Sequence, residues 1–263
     1  MSRVAIGRSG SIRPVAQRPG LTRAAWRAAQ PRTPLSASSD PSASVDVATV
    51  PGSSGPLAAQ GLGCRRGRRL LFSGLDMRLE PGSITWLRGT NGSGKTSLMR
   101  ILAGLSHAAE GEITWGAQPL RRAGPEAMQQ IIYVGHANAL KEDLTLAESV
   151  AFLGVLGGLD EPLGRARRAL DHLGLASRAD APVRTLSQGQ RRRGALARLA
   201  LDDAPRTWIL DEPYDALDAA SCALLTRMIE GNAARRGAVL LTSHQVVSLA
   251  GAREFDLEPW RRA

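Results

Sequence analysis

The distribution of apolar residues along the chain predicts short buried strands that alternate with helices. Compact apolar runs of strand length begin at Ile84, Ile131, Thr207 and Ala238, and polar residues or turn residues follow each of them. Such runs are typical of the buried strands of a parallel sheet. The sequence therefore predicts the α/β class, with a mainly parallel sheet.

Two further strands are predicted before the first of these runs. Between Leu57 and Leu79, apolar and polar residues alternate in parts around a central glycine, a pattern typical of a two-stranded antiparallel ribbon. A Glu-Pro-Gly-Ser turn at 80–83 then leads into the strand at Ile84. We expect this ribbon to form an N-terminal antiparallel β subdomain, and another short strand to lie between the glycines at 111 and 116.

Helical periodicity follows the strand at Ile84 and returns in the segment Thr145–Val183. One helical face that would pack on a sheet is formed by Leu98, Ile101, Leu102 and Leu105. The second segment is moderately charged, and we expect Pro162, Gly164 and Gly174 to break it. This pattern predicts a helical subdomain at about residues 140–190.

Residues 1–56 lack both periodicities and are rich in Arg, Ser, Pro and Ala, with no acidic residue before Asp40. This composition predicts a disordered extension. It has three interpretations: a transit peptide, a basic arm for nucleic acid or anionic lipid, or an incorrectly assigned start codon. We favour the third, because domain-like patterning begins only near Leu57. The folded domain is thus expected at 57–263.

The formal net charge of +10 comes almost wholly from arginine, since the only lysines are Lys95 and Lys141. An Arg-, Ala- and Gly-rich composition is typical of a GC-rich genome, so no nucleic-acid partner is expected from charge alone. The two cysteines, Cys64 and Cys222, have neither CxxC spacing nor neighbouring histidines, which argues against a disulfide framework or a zinc site. No apolar run reaches the length of a membrane span.

The pattern G-x-x-x-x-G-K-[ST] lies between the strand at Ile84 and the helix that follows it. In that context it predicts a phosphate loop, whose glycines let several backbone N–H groups point at one anion. Its residues are Gly89, Thr90, Asn91, Gly92, Ser93, Gly94, Lys95 and Thr96. Lys95 can place a positive charge on the β- and γ-phosphates of ATP, and the Thr96 hydroxyl suits Mg²⁺. The alternative interpretation is a glycine-rich turn without a ligand.

Asp211 and Glu212 directly follow the apolar run that begins at Thr207. Because ligands of α/β sheets bind at the carboxyl ends of the strands, we expect both acids to lie near the phosphate loop. Asp211 would then hold Mg²⁺ directly or through water, and Glu212 would polarise the attacking water. Two adjacent acids after a strand can also be a turn or a helix cap.

Together these motifs resemble those of the ATP-binding subunits of ABC transporters, from about Leu57 to the C-terminus. The phosphate loop resembles the Walker A motif, and Leu210–Pro213 resembles the end of the Walker B motif. The sequence Leu186–Gln190 is similar to the signature motif, and Ala216–Asp218 is similar to the D-loop. His244 stands where this family carries its switch histidine. The order and spacing of the motifs are more specific than any one of them.

The resemblance implies that two copies pair head to tail with two ATP molecules between them. Each ATP would contact the phosphate loop of one copy and the signature and D-loop residues of the other: Ser187, Gly189, Gln190 and Asp218. A serine at 187 is also a common helix cap, and the two roles can coexist. By the same resemblance, His244 bonds the γ-phosphate and Glu212 acts on water.

At two positions the chain departs from the general family pattern, and there it resembles one subfamily, the cytochrome c maturation ATPases. Gly135-His136 stands where most relatives carry a glutamine, and Arg66 stands where many carry an aromatic residue that stacks on adenine. An arginine plane can also stack on a base. This resemblance implies a role in haem export or haem-chaperone release.

In that subfamily the ATPase docks on a multispanning membrane subunit of the CcmB type, at the cytoplasmic face of the bacterial inner membrane. His136 would sense the Mg²⁺-bound water or γ-phosphate, and the segment 137–146 would meet the membrane partner. Three alternatives remain. They are another ABC exporter, a soluble ABC ATPase acting on nucleic acid or ribosomes, and a phosphate-loop kinase, which would not explain the signature motif or His244.

Overall fold

The structure of the protein, a computed structural model, describes residues 55–245 and 248–262. The predicted extension lies outside the described residues as far as position 54. The strands are β1 (Leu57–Arg66), β2 (Arg69–Leu79), β3 (Ile84–Arg88), β4 (Glu110–Trp115), β5 (Gln118–Pro119), β6 (Ile131–Val134), β7 (Thr207–Leu210), β8 (Ala238–Leu241) and β9 (Ala252–Asp256). The α-helices are α1 (Lys95–Leu102), α2 (Gly124–Gln129), α3 (Leu146–Leu156), α4 (Pro162–His172), α5 (Gln188–Leu196) and α6 (Ala219–Ala234).

Five strands form a parallel sheet in the order β6-β7-β8-β3-β9. In register, Val134 lies beside Leu210, and Leu210 lies beside Leu241. The carboxyl ends of β6, β7 and β8 therefore lie at one edge of the sheet, where the polar residues follow. This arrangement confirms the prediction of a mainly parallel α/β sheet.

The remaining four strands form an antiparallel sheet in the order β2-β1-β4-β5. The predicted ribbon is confirmed, because β1 and β2 pair from Leu57 with Leu79 to Arg66 with Arg69. The predicted short strand β4 pairs with the other side of β1. Phe72 and Leu75 of this sheet are fully buried in the same apolar core as Leu98 of α1.

The segment that was predicted to be helical contains α3 and α4, but one of the expected breaks is wrong. Thr145 and Glu148 form a capping box that starts α3. Pro162 occupies the first turn of α4, where its missing N–H costs nothing. Gly164 lies inside α4 and does not break it, because Pro162 has already fixed the start of the helix.

Two other details of the sequence interpretation also need correction. Leu105 does not share the buried face of α1: the helix ends at Leu102, Gly104 turns the chain at φ 70°, and the Leu105 side chain is 55% exposed. The edge strand β9, which pairs with β3, was not predicted. Its residues are mostly exposed and polar, so no apolar run marks it. None of the helices in the described ranges is long and apolar enough to cross a bilayer.

Candidate functional site

The phosphate loop, residues 89–96, joins the end of β3 to the start of α1. Its three glycines have positive φ angles: 146° at Gly89, 78° at Gly92 and 107° at Gly94. Side chains rarely adopt this backbone region, so glycine is required for the shape of the loop. A Cβ at Gly94 would also lie 3.2 Å from the Phe72 ring, which packs the loop against β2.

Helix α1 begins at Lys95 without a side-chain cap. The first N–H groups of a helix have no partner within the helix, and the positive end of the helix dipole lies beside them. The start of α1 therefore presents unpaired donors and partial positive charge to the loop, which is the arrangement that binds phosphate.

Lys95 lies across the loop that precedes it. Its Nζ donates hydrogen bonds to the carbonyl oxygens of Gly89, at 2.7 Å, and Thr90, at 3.1 Å. These bonds hold the ammonium group over the phosphate loop. The Ser93 hydroxyl is buried beneath the loop and has no hydrogen-bond partner in the part of the chain that the structure describes.

A cavity of about 420 Å³ opens in front of the phosphate loop. It is lined by Arg66, Arg69, Leu71, Asn91, Gly92, Gly94, Lys95, Thr96, Ser97, Asp211, Glu212 and His244. The structure thus brings together side chains from the ends of β3, β7 and β8, whereas His136 after β6, which was expected to sense the γ-phosphate, does not line this cavity. A larger cavity, about 550 Å³, lies between α4 and α6 and contains none of the predicted site residues.

Asp211 and Glu212 are held at the end of β7 by Thr242, which follows β8. The Thr242 hydroxyl donates to Asp211 Oδ1 at 3.0 Å and accepts from the Glu212 backbone N–H at 2.9 Å. Asp211 is 4% exposed and Thr242 is fully buried. The sequence interpretation missed Thr242, although its position after an apolar strand at the same sheet edge was a usable signal.

Glu212 and His244 face each other at the cavity. The His244 backbone N–H donates to Glu212 Oε2 at 2.9 Å, and His244 Nε2 lies 3.5 Å from Glu212 Oε1. The Glu212 side chain is 13% exposed, whereas that of His244 is 63% exposed. A carboxylate is therefore fixed at the cavity wall beside an accessible imidazole, a pair that can orient water and bind an anion.

The predicted signature residues do not line the cavity in front of their own phosphate loop. Ser187 caps α5: its hydroxyl accepts from the Gln190 N–H, and Gln190 Oε1 accepts from the Ser187 N–H. A Cβ at Gly189 would lie 3.1 Å from the Ala216 carbonyl oxygen, so the signature packs closely on the D-loop. The Ser187 side chain is exposed.

Asp218 and His136 also lie outside this lining. Asp218 caps α6 by accepting from the Ser221 N–H at 2.8 Å, and its hydrogen bonds to Ser221 lower its pKa. His136 follows β6, with its side chain 80% exposed and its Nδ1 3.9 Å from Asp215 Oδ2. In this structure, His136 is thus placed beside the D-loop segment and not at the phosphate loop.

The C-terminal residues hold the phosphate loop, a contact that the sequence did not reveal. Glu258 Oε1 accepts from both the backbone N–H and the hydroxyl of Thr90, each at 2.6 Å. Arg261 donates to the Thr90 hydroxyl and to Glu258 Oε2. The bonds from Thr90, together with Arg261, lower the pKa of Glu258. Since 168 positions separate the two partners, no local pattern indicates this contact.

Comparison with known proteins agrees with this geometry. The family model described as "ABC transporter" matches residues 72–215. A cytochrome c biogenesis ATP-binding export protein CcmA from Methylococcus capsulatus is 44% identical over 199 residues, covering 76% of this chain and 96% of that protein. The CcmA of Dechloromonas aromatica is 45% identical over 203 residues, covering 76% of this chain and 98% of that protein.

A solved structure supports the fold independently. A putative ABC transporter ATP-binding protein from Pyrococcus furiosus matches with a TM-score of 0.67 and 21% identity, covering 79% of this chain and all of that one. The chain therefore belongs to the ABC transporter family and is a nucleotide-binding, ATP-hydrolysing subunit. Within that family it belongs with the cytochrome c biogenesis ATP-binding export proteins, CcmA, as the sequence resemblance indicated.

Proposed function

We propose that this chain is the ATPase subunit of an ABC complex in cytochrome c maturation, where ATP hydrolysis drives haem export or haem-chaperone release. The observation that carries the ATPase chemistry is the convergence of Lys95, Glu212 and His244 on one cavity. The names of the relatives from Methylococcus and Dechloromonas support the pathway. The substrate itself would be selected by a membrane partner.

The phosphates of ATP would lie in the cradle of residues 89–96, with Lys95 on the β- and γ-phosphates. Thr96 and Asp211 are oxygen ligands that line the same cavity, and such a donor set fits Mg²⁺. The ion would offset the negative charge of the phosphate oxygens. Arg66, which lines the cavity, would stack on the adenine.

Glu212 would orient the attacking water and accept its proton as the water oxygen bonds to the γ-phosphorus and ADP leaves. The backbone N–H of His244 keeps this carboxylate at the cavity wall. The exposed His244 ring would donate to a γ-phosphate oxygen, where negative charge must be stabilised. Each group thus acts on a different side of the transferred phosphoryl group.

A second copy would complete the site. Ser187, Gly189, Gln190 and Asp218 line no part of the cavity in their own chain, so they are free to meet the ATP of a partner copy. The exposed Ser187 and the start of α5 would supply a hydroxyl and a helix dipole to the γ-phosphate. The functional unit is then a head-to-tail dimer with two ATP molecules at its interface.

The dimer would bind a multispanning membrane subunit of the CcmB type and act as a peripheral protein at the cytoplasmic face of the inner membrane. The segment 137–146 would meet that partner, and the exposed His136, directly before that segment, would couple the contact to ATP hydrolysis. Nucleic acid is not among the partners that we propose. Co-purification of the full chain with a multispanning membrane protein tests this assignment. Salt-sensitive RNA or DNA binding would instead favour the soluble ABC ATPase.

The substitution Glu212→Gln tests the catalytic assignment. We expect it to lower ATP turnover by about 10²–10⁴-fold while ATP binding remains, so that ATP-bound dimers accumulate on gel filtration. Glu126→Gln is the matched control, because Glu126 is an exposed glutamate on α2. A fully active Glu212→Gln protein would falsify the role of this carboxylate.

A further inference from the structure

The guanidinium group of Arg192 lies at the junction of three functional segments. Arg192 belongs to α5, the signature helix, and is only 3% exposed. Its N–H groups donate to five acceptors: the carbonyl oxygens of Gly135, Asp211, Glu212 and Pro213, and the side-chain oxygen of Asn138. The shortest of these bonds is 2.6 Å, to the Glu212 carbonyl.

These acceptors belong to two different loops. Three of them are backbone carbonyl oxygens of residues 211–213, directly after β7. The other two belong to the loop around His136, after β6. An arginine side chain suits this position because its planar fork presents five N–H donors in fixed directions. A lysine could not bond both sets of acceptors in the same way, because its three donors share one nitrogen.

A buried charge needs a specific reason. Burial lowers the pKa of Arg192, and the nearby carboxylates of Asp215, Asp211 and Glu212 oppose that shift. Removing a charge from water costs several kcal/mol, so an apolar side chain of similar volume would often stabilise the fold equally well. What the arginine adds is a fixed geometry between the segments that it bonds.

We infer that Arg192 is a positioning residue that couples the 135–138 loop to the catalytic acids and to the signature helix. Through its hydrogen bonds, a displacement of the loop around His136 moves the backbone of Glu212, and closure at the signature helix moves both. This inference rests on the proposed function, because it concerns the same ATP site. It adds a mechanical link between His136 and Glu212, whose side chains share no hydrogen bond or ion pair with each other in the described residues.

The matched control for this link is Arg198. It is a half-buried arginine, desolvation also lowers its pKa, and it donates to the Tyr133 carbonyl at 2.6 Å on β6. It makes no hydrogen bond to the acids or to the 135–138 loop. Arg192→Lys and Arg198→Lys therefore make the same chemical change in arginines that bond backbone carbonyls, but only the first removes bonds to both loops.

The experiment measures ATP turnover and hydrogen exchange in the full chain carrying each substitution. We expect Arg192→Lys to lower kcat by about tenfold with little change in ATP affinity. Amide exchange in 135–138 and 211–212 should rise, and the protection that ATP gives to 135–138 in the wild type should disappear. Arg198→Lys should retain the wild-type kcat and the ATP-dependent protection.

The inference is overturned if 135–138 still responds to ATP in Arg192→Lys as it does in the wild type. It is also overturned if both lysine variants lose activity equally, in proportion to their melting temperatures. If Arg192→Lys does not fold, Asn138→Ala removes one acceptor and leaves the arginine in place; unaltered exchange at 211–212 in that variant contradicts the link. An active Glu212→Gln protein would refute the proposed function instead, whatever Arg192→Lys shows.

Discussion

His244 holds Glu212 through its backbone and not through its ring. The His244 N–H donates to Glu212 Oε2 at 2.9 Å, whereas the ring nitrogen Nε2 lies farther away, 3.5 Å from Glu212 Oε1. The position of the carboxylate is therefore set by the chain after β8. The imidazole remains available for the γ-phosphate.

This arrangement predicts the effect of His244→Ala. The substitution keeps the backbone bond to Glu212 and removes only the ring, so the carboxylate should stay in place. We expect ATP affinity within about twofold of the wild type and a kcat lower by about 10²–10⁴-fold, because one positioned group is lost. Nucleotide binding and steady-state turnover measure the two effects. Unchanged kcat in His244→Ala would contradict the role of the ring.

Thr242 tests how the acids are held. Thr242→Val keeps the shape of the side chain but leaves Asp211 Oδ1 and the Glu212 N–H without the bonds at 3.0 and 2.9 Å. Buried polar groups without partners cost about 1–3 kcal/mol, so the free energy of unfolding should fall by about that amount. We also expect lower turnover. Thr242→Ser, which retains the hydroxyl, is the control, and equal stability and activity of the two variants would refute this support.

The lowered pKa of Glu258 predicts that the stability of the fold depends on pH. Its bonds from Thr90, aided by Arg261, lower its pKa in the folded chain. The stabilisation is therefore fully present above the ordinary glutamate pKa and is lost as pH falls through the lowered folded value. Thermal unfolding should show a constant advantage of the wild type over Glu258→Gln near neutral pH, shrinking only in acid. An advantage that grows on acidification would contradict the sign.

His136→Ala tests the predicted coupling of ATP hydrolysis to the membrane partner. Its side chain lines no part of the nucleotide cavity, so ATP binding should survive the substitution. We expect turnover stimulated by the reconstituted membrane subunit to be lost. His107→Ala, at another exposed histidine, is the control. Unchanged stimulation in His136→Ala would count against the predicted role.

The phosphate loop and the acids after β7 were predictable because each is marked locally. Gly89, Gly92 and Gly94 stand at a spacing that requires unusual backbone angles, and the acids follow a strand of four buried residues. The parallel sheet then brings those strand ends to one edge. The proximity of Lys95 and Glu212 could therefore be predicted from the strand pattern alone.

The supporting contacts were not predictable, since they depend on tertiary structure. Arg192 is one of three consecutive arginines, and nothing in the sequence shows that it alone is buried against two loops. Glu258 reaches Thr90 from the far end of the chain. Leu105 misled the helix prediction because it continues the apolar period of α1 after Gly104 has already turned the chain.

The central claim is that the phosphate loop of one copy works with the signature of another. Two variants should each be inactive alone. Lys95→Ala removes the charge from the phosphate loop. Ser187→Asp keeps a good helix cap but places a negative charge against the γ-phosphate. Ser187→Asn, a neutral cap of the same shape, is the control and should retain most activity.

The most direct measurement is ATP turnover in an equal mixture of Lys95→Ala and Ser187→Asp chains. In a head-to-tail dimer, each mixed pair contains one site with an intact phosphate loop and an intact signature. The mixture should therefore recover activity, approaching about a quarter of the wild-type number of intact sites. If the mixture stays as inactive as its two components while exchange of subunits is demonstrated, the site is not shared between copies.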